Sequence, residues 1–137
     1  MKTNYKVALA VLAGVSIGLA ATQAIHAQHV KVPPAYVIAE VEKDPTKPED
    51  PAAARKYKDE TPKTLAPFNG QYLVVAGGRK IQTVEGEAPK GFIVVIAFDS
   101  LEKARGWYNS PAYEAIKPIR QNSTKSRMLI VEGVPVQ

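Results

Sequence analysis

Trp107, Tyr108 and Tyr113 surround a Ser110-Pro111 step late in the chain, and Tyr36, Tyr57 and Tyr72 recur upstream of it. Tyrosine and tryptophan each join apolar bulk to one hydrogen-bonding atom, a combination suited to a small planar organic ligand. For any single ring the plainer role is core packing with a satisfied hydroxyl. Arg120 follows Tyr113 on the same helical stripe, where its planar fork can hold a ligand carboxylate in bidentate fashion. Its plainer role is to pair with a neighbouring acid or with the C-terminus of a helix. The six rings and Arg120 form the candidate ligand-binding set, with Glu114 as a polar neighbour. Glu40 is the one acid inside an otherwise apolar strand, so burial there would suit a general base, and it is the weak catalytic candidate. Exposure at the rim, or pairing with an arginine across a dimer, are its other readings. No second acid stands at a fixed offset from it, so paired-carboxylate catalysis has no support.

The chain excludes several other chemistries. It has no cysteine, hence no disulfide, thiolate nucleophile or sulfur metal ligand. His26 and His29 are its only histidines. Both precede the folded body, which therefore lacks the usual general base near neutral pH and the commonest metal and haem ligand. Ser100 and Ser110 have no base to activate them and read as helix caps. No metal site and no cofactor are expected.

Lys2 and Lys6 precede an uncharged apolar run from Val7 to Ala21, with small residues at Ala24 and Ala27. This reads as a signal peptide spanning 1–27, removed after Ala27, which places the protein in the periplasm or outside the cell. The alternative is an uncleaved anchor, the one case in which the protein would touch a membrane. Without residues 1–27, Lys+Arg falls from 18 to 16 against 13 Asp+Glu, a net charge of +3. Basic residues alternate with acids, as in Lys56-Tyr57-Lys58-Asp59-Glu60, so nucleic acid is not an expected partner.

The elements that must position the candidate residues follow from periodicity. Residues 28–33 are a linker, 34–133 one domain and 134–137 a tail. Ala35–Glu42 is rich in β-formers and reads as a strand. Asp50 before Pro51 caps a helix carrying Ala53, Tyr57, Leu65 and Phe68, expected to break or kink near Thr61 because Pro62 follows. Gln71–Ala76 is a second strand, Gly77-Gly78 a turn or bulge, and Ile81–Val84 more strand. Glu85-Gly86 and Pro89–Gly91 lead to the strongest strand, Phe92–Phe98. Ser100 caps a helix through Tyr108, Ser110 restarts it with Pro111 just inside, and Arg127–Glu132 is the last strand. The order is βαββαβ: an α+β fold with an antiparallel sheet and helices on one face. Strands such as Ile93-Val94-Val95-Ile96 are apolar on both faces, so something must cover the second face, and another copy of the same sheet would do so in a homodimer.

Ala35–Val41, Gly70–Val74, Val84–Gly86, Phe98–Ala104, Trp107–Tyr113 and Ile116–Arg120 together resemble domain-of-unknown-function family 1330. The likeness spans about residues 34 to 133, and the aromatic Ser-Pro-x-Tyr segment is its most specific part. It implies a ferredoxin-like dimeric α/β-barrel, in which two sheets close into a barrel with the helices outside, and it implies no established activity. Proteins of this wider fold include cofactor-free monooxygenases, muconolactone-type isomerases and haem enzymes, the last requiring a proximal histidine that this body lacks. Two departures stand out. Three prolines lengthen the first loop, and Pro118 falls inside the last helix, where an early end is expected.

Three functional readings result. The first is an exported small-domain protein that binds or transforms a small aromatic or keto acid without metal or cofactor. The second is a non-catalytic dimeric structural or interaction module of the cell envelope. The third is a signal-anchored envelope accessory protein.

Overall fold

The computed structural model describes Val32 and residues 34–135; the expected signal segment lies outside them. β1 (Ala35–Lys43), α1 (Pro51–Leu65), β2 (Gln71–Gly77), β3 (Phe92–Phe98), α2 (Leu101–Tyr108), α3 (Pro111–Gln121) and β4 (Thr124–Glu132) follow in that order. Local chemistry starts each helix. The side chains of Asp50, Ser100 and Ser110 accept from the backbone N–H groups of Ala53, Lys103 and Tyr113, satisfying donors that the first turn leaves free.

The strands form one antiparallel sheet in the order β2-β3-β1-β4, the ferredoxin-like arrangement. Register separates its two faces. Val37 pairs with Ile96 and with Ile130, and this layer meets the helices, whereas Ile38 pairs with Val95 and with Leu129 on the opposite face. The core joins Ala35, Val37, Ile96 and Phe98 of the sheet to Leu65, Ala104, Trp107, Tyr113 and Ile116 of the helices. Leu129 and Val131 on the far face stay exposed.

Three local expectations are corrected. Pro62 does not break α1, which continues to Leu65 before a 3-10 turn at Ala66–Phe68. The ring lies on the solvent side, so its missing N–H deprives only the carbonyl of exposed Lys58, which water can serve. Beside it, the hydroxyl of Thr61 donates to the Tyr57 carbonyl at 2.6 Å and that of Thr64 to the Thr61 carbonyl at 2.7 Å. Pro118 likewise sits on the exposed face of α3, which runs on to Gln121. Residues 81–84 are not a strand. After β2, a 3-10 turn at Gly78–Lys80 starts with Gly78 at φ 55° and takes the chain away from the sheet. With β2 at the edge no strand stands beside them, and Val84 is 88% exposed.

Candidate ligand cavity

The stripe of α3 decides where charge enters the core. Tyr113, Ile116, Lys117 and Arg120 recur at the spacing of one helix face, and all four are buried. Arg120, only 6% exposed, is thus carried beneath the helix and not out to water. Its Nη1 donates to Oγ of Ser126 on β4, and its Nε is buried with no hydrogen-bond partner. No carboxylate pairs with it among the described residues. The plainer expectation of a neighbouring acid is therefore not met, although the last turn of α3 lends the charge some dipole support. Burial works against the guanidinium's charge, but the phenol oxygens of Tyr113 and Tyr57 outweigh it and hold Arg120 above its ordinary pKa.

Beside Arg120, α1, α3 and the helix-facing layer of the sheet enclose a cavity of about 540 Å³. Ala39, Val94, Ile96 and Met128 make its apolar floor, Tyr57 and Thr61 come from α1, and Trp107 closes one side. Tyr72, Val75 and Phe92, on the edge side of the sheet, stay partly in solvent and form its mouth. Lys58 and Arg120 are its charged residues, and no carboxylate lines it.

A polar line backs the cavity. The hydroxyls of Tyr57 and Tyr113 are 3.0 Å apart, and Tyr113 is fully buried behind Tyr57. Burial, reinforced by Tyr57, raises the Tyr113 phenol well above the ordinary tyrosine range, so it stays neutral beside the guanidinium. Burial, again with Tyr57 alongside, pushes the Tyr72 phenol up to about 12. Trp107, 0% exposed, stacks on Tyr113 with centroids 4.1 Å apart and donates from Nε1 to Oγ1 of Thr64 at 3.0 Å.

The structure thus brings Tyr57, Tyr72, Trp107 and Arg120 to one cavity and holds Tyr113 directly behind it. It does not bring the others. Tyr36 and Glu40 alternate with Val37 and Ala39 and so lie on the opposite face of the sheet. Glu40 is exposed there in the single chain and accepts from Arg127 Nη2 at 2.8 Å. Tyr108 packs outside the cavity, its ring under the Lys117 ammonium at 4.0 Å, and Glu114 pairs with that same lysine at the surface. Sequence reasoning missed Thr61, Lys58 and Ser126. Thr61 was within reach, standing one turn after Tyr57 on the same helix face. Ser126 was not, because only the β1–β4 register places it under Arg120. Among the described residues no group of acids and histidines could hold a metal ion, and no helix is long and apolar enough to cross a membrane.

Among solved structures the chain is similar to the RPA0582 protein of unknown function from Rhodopseudomonas palustris, with a TM-score of 0.59 at 12% identity, covering 85% of this chain and 93% of that one. It is similar also to SnoaB, a cofactor-independent oxygenase from Streptomyces nogalater, with a TM-score of 0.55 at 8% identity, covering 77% and 97%. A dimeric ferredoxin-like protein of unknown function from Thermobifida fusca gives a TM-score of 0.51 at 14% identity, covering 77% and 95%. Identities this low speak for the fold alone. No curated protein matches the sequence. The model of the domain of unknown function DUF1330 matches residues 34–134, nearly the whole described region, and the chain belongs to that family.

Proposed function

We propose that the protein binds a small organic anion, an aromatic or keto acid, in the cavity between the helices and the sheet. One observation carries this reading: a buried guanidinium, lacking any counter-ion among the described residues, lines an apolar cavity in which those residues place no carboxylate. A buried charge is costly to keep unpaired, so an anionic group of the ligand is the natural partner, with the apolar walls taking its body. The volume suits a ligand of drug-like size or smaller. Calorimetric titration with benzoate and phenylpyruvate, against benzamide as the uncharged match, tests it. Binding of the acids alone, lost in Arg120→Met, is expected. Equal binding of acid and amide, or no binding of either, would refute it.

The far face of the sheet favours assembly as well. Val74, Leu129 and Val131 leave apolar surface in water on that face, and a second copy of the sheet is the matching cover. The Thermobifida relative, described as dimeric, supports this. A monomer in light scattering at micromolar concentration would refute it. The dimer serves the ligand-binding reading and the envelope-module reading alike. Export with removal of residues 1–27 rests on the basic start and uncharged run. An exported protein whose N-terminus is still Met1 would overturn it. SnoaB, described as a cofactor-independent oxygenase, lends support to chemistry without a cofactor on this fold.

A further inference from the structure

Resting on the anion-binding reading, we infer that the cavity also takes weak acids, phenols and enols of planar ligands, and holds them as their anions, with the proton released to solvent. Two opposing effects meet in this cavity. Burial suppresses ionisation, in keeping with the raised phenol of buried Tyr113, so a hydroxyl bound against the apolar floor alone would become a weaker acid. A hydroxyl bound against Arg120 meets a full positive charge that no carboxylate among the described residues neutralises, at 6% exposure, where solvent screens little. Contact with such a cation lowers an acid's pKa by about one to three units. The site therefore separates ligands by where their acidic hydrogen sits.

One direction of the tyrosine hydrogen bond adds to the same preference. The two hydroxyls share one bond, 3.0 Å long, and Tyr113 is the one farther from the cavity. When Tyr113 donates to Tyr57, the Tyr57 proton is free to point at the ligand. Arg120 and Tyr57 then present only donors to the bound oxygen, and an oxyanion satisfies both where a neutral hydroxyl leaves its own hydrogen unplaced. The balance is simple: the ligand O–H bond breaks, the electron pair stays on oxygen, and the proton leaves to water. Neither oxidant nor reductant is involved.

The probe is 4-nitrophenol, whose phenolate is yellow, with 4-nitroanisole as the match that cannot ionise. Binding is followed by quenching of Trp107, the only tryptophan of the chain, and ionisation by the phenolate absorbance across a pH series. The expected result is an apparent pKa at least about one unit below that of the free phenol. The drop is expected to disappear in Arg120→Met, to persist in Arg120→Lys, and to shrink in Tyr57→Phe. Circular dichroism of each variant establishes folding, and Tyr57→Phe carries the test if Arg120→Met does not fold. A bound phenol whose pKa is unchanged or raised overturns the inference, as does a drop of equal size in a folded Arg120→Met. Arg120-dependent binding of benzoate without any shift of the phenol would overturn this inference alone and leave the anion-binding reading standing. Failure of both benzoate and the phenol to bind would remove both.

Discussion

Replacing Arg120 by methionine should leave the free protein about as stable as the parent while abolishing its binding of acids. Methionine retains much of the arginine stem and fills the same path beneath α3, so little packing is lost. Exchanging a buried ionic group for well-packed apolar atoms is often neutral and can gain about 1–4 kcal/mol. Against that stand the charge-assisted hydrogen bond to Ser126, worth about 1.5–3 kcal/mol, the interaction with the last turn of α3, worth about 0.3–1 kcal/mol, and the phenol oxygens of Tyr113 and Tyr57. Taking the middle of each range, gain and loss cancel to within about 1 kcal/mol. In a domain of this size that keeps the melting temperature within about 4–8 °C of the parent's. The assay is paired: denaturant unfolding of parent and variant without ligand, compared at equal m values, beside calorimetric titration with benzoate. A residue kept for binding shows a lost titration beside a nearly parental unfolding midpoint. If Arg120→Met instead lost more than about 1 kcal/mol of stability, the guanidinium would be a structural group, and the argument that it awaits an anionic partner would collapse.

Three further outcomes are expected. Trp107→Phe should lose about 2–4 kcal/mol in denaturant unfolding, because it opens space in a fully buried position and breaks the bond to Thr64; a loss under 1 kcal/mol would mean the indole is not a core element. Gly91→Ala should lose at least about 2 kcal/mol, since a Cβ there would overlap the Val41 carbonyl oxygen and lie 2.7 Å from its carbon, forcing β3 away from β1; a parental midpoint would contradict that contact. Asp44 accepts from the hydroxyl and the N–H of Thr46 at 2.7 and 3.0 Å, and these bonds, the hydroxyl's first, hold its carboxyl below the ordinary range. A depressed folded-state pKa gives stability that is present above the unfolded value and lost as pH falls through the folded one. Asp44→Asn should therefore be less stable than the parent at neutral pH, with the gap closing on acidification; a gap independent of pH would show that the charge contributes nothing.

The parts of this protein legible in its sequence are those that local chemistry decides. A cap side chain acts on a backbone N–H three residues on, so Asp50-Pro51, Ser100 and Ser110-Pro111 announced their helices directly. Alternation and β-branched composition marked β1, β2 and β3, and their order with the helices leads to the ferredoxin-like arrangement. The helical stripe that buries Arg120 with Tyr113 was equally visible. Even the separation of Tyr36 and Glu40 from Val37 was present as parity, but parity does not say which face the helices will cover. That choice belongs to packing, and it sent both residues away from the cavity. The fate of Pro62 and Pro118 was also tertiary: a proline ends a helix when its freed carbonyl is buried, and both lie on the wet side of helices anchored by their other faces. Residues 81–84 had the composition of a strand, but they follow the 3-10 turn at Gly78–Lys80 and pair with no strand. The meeting of Tyr57 with Tyr113, 56 residues apart, and of Arg120 with Ser126 depended on the docking of α1 against α3 and on strand register. Local pattern decides which elements form and which stripe each helix buries. Which chemical groups face one another across the gap is decided only when those stripes share a core.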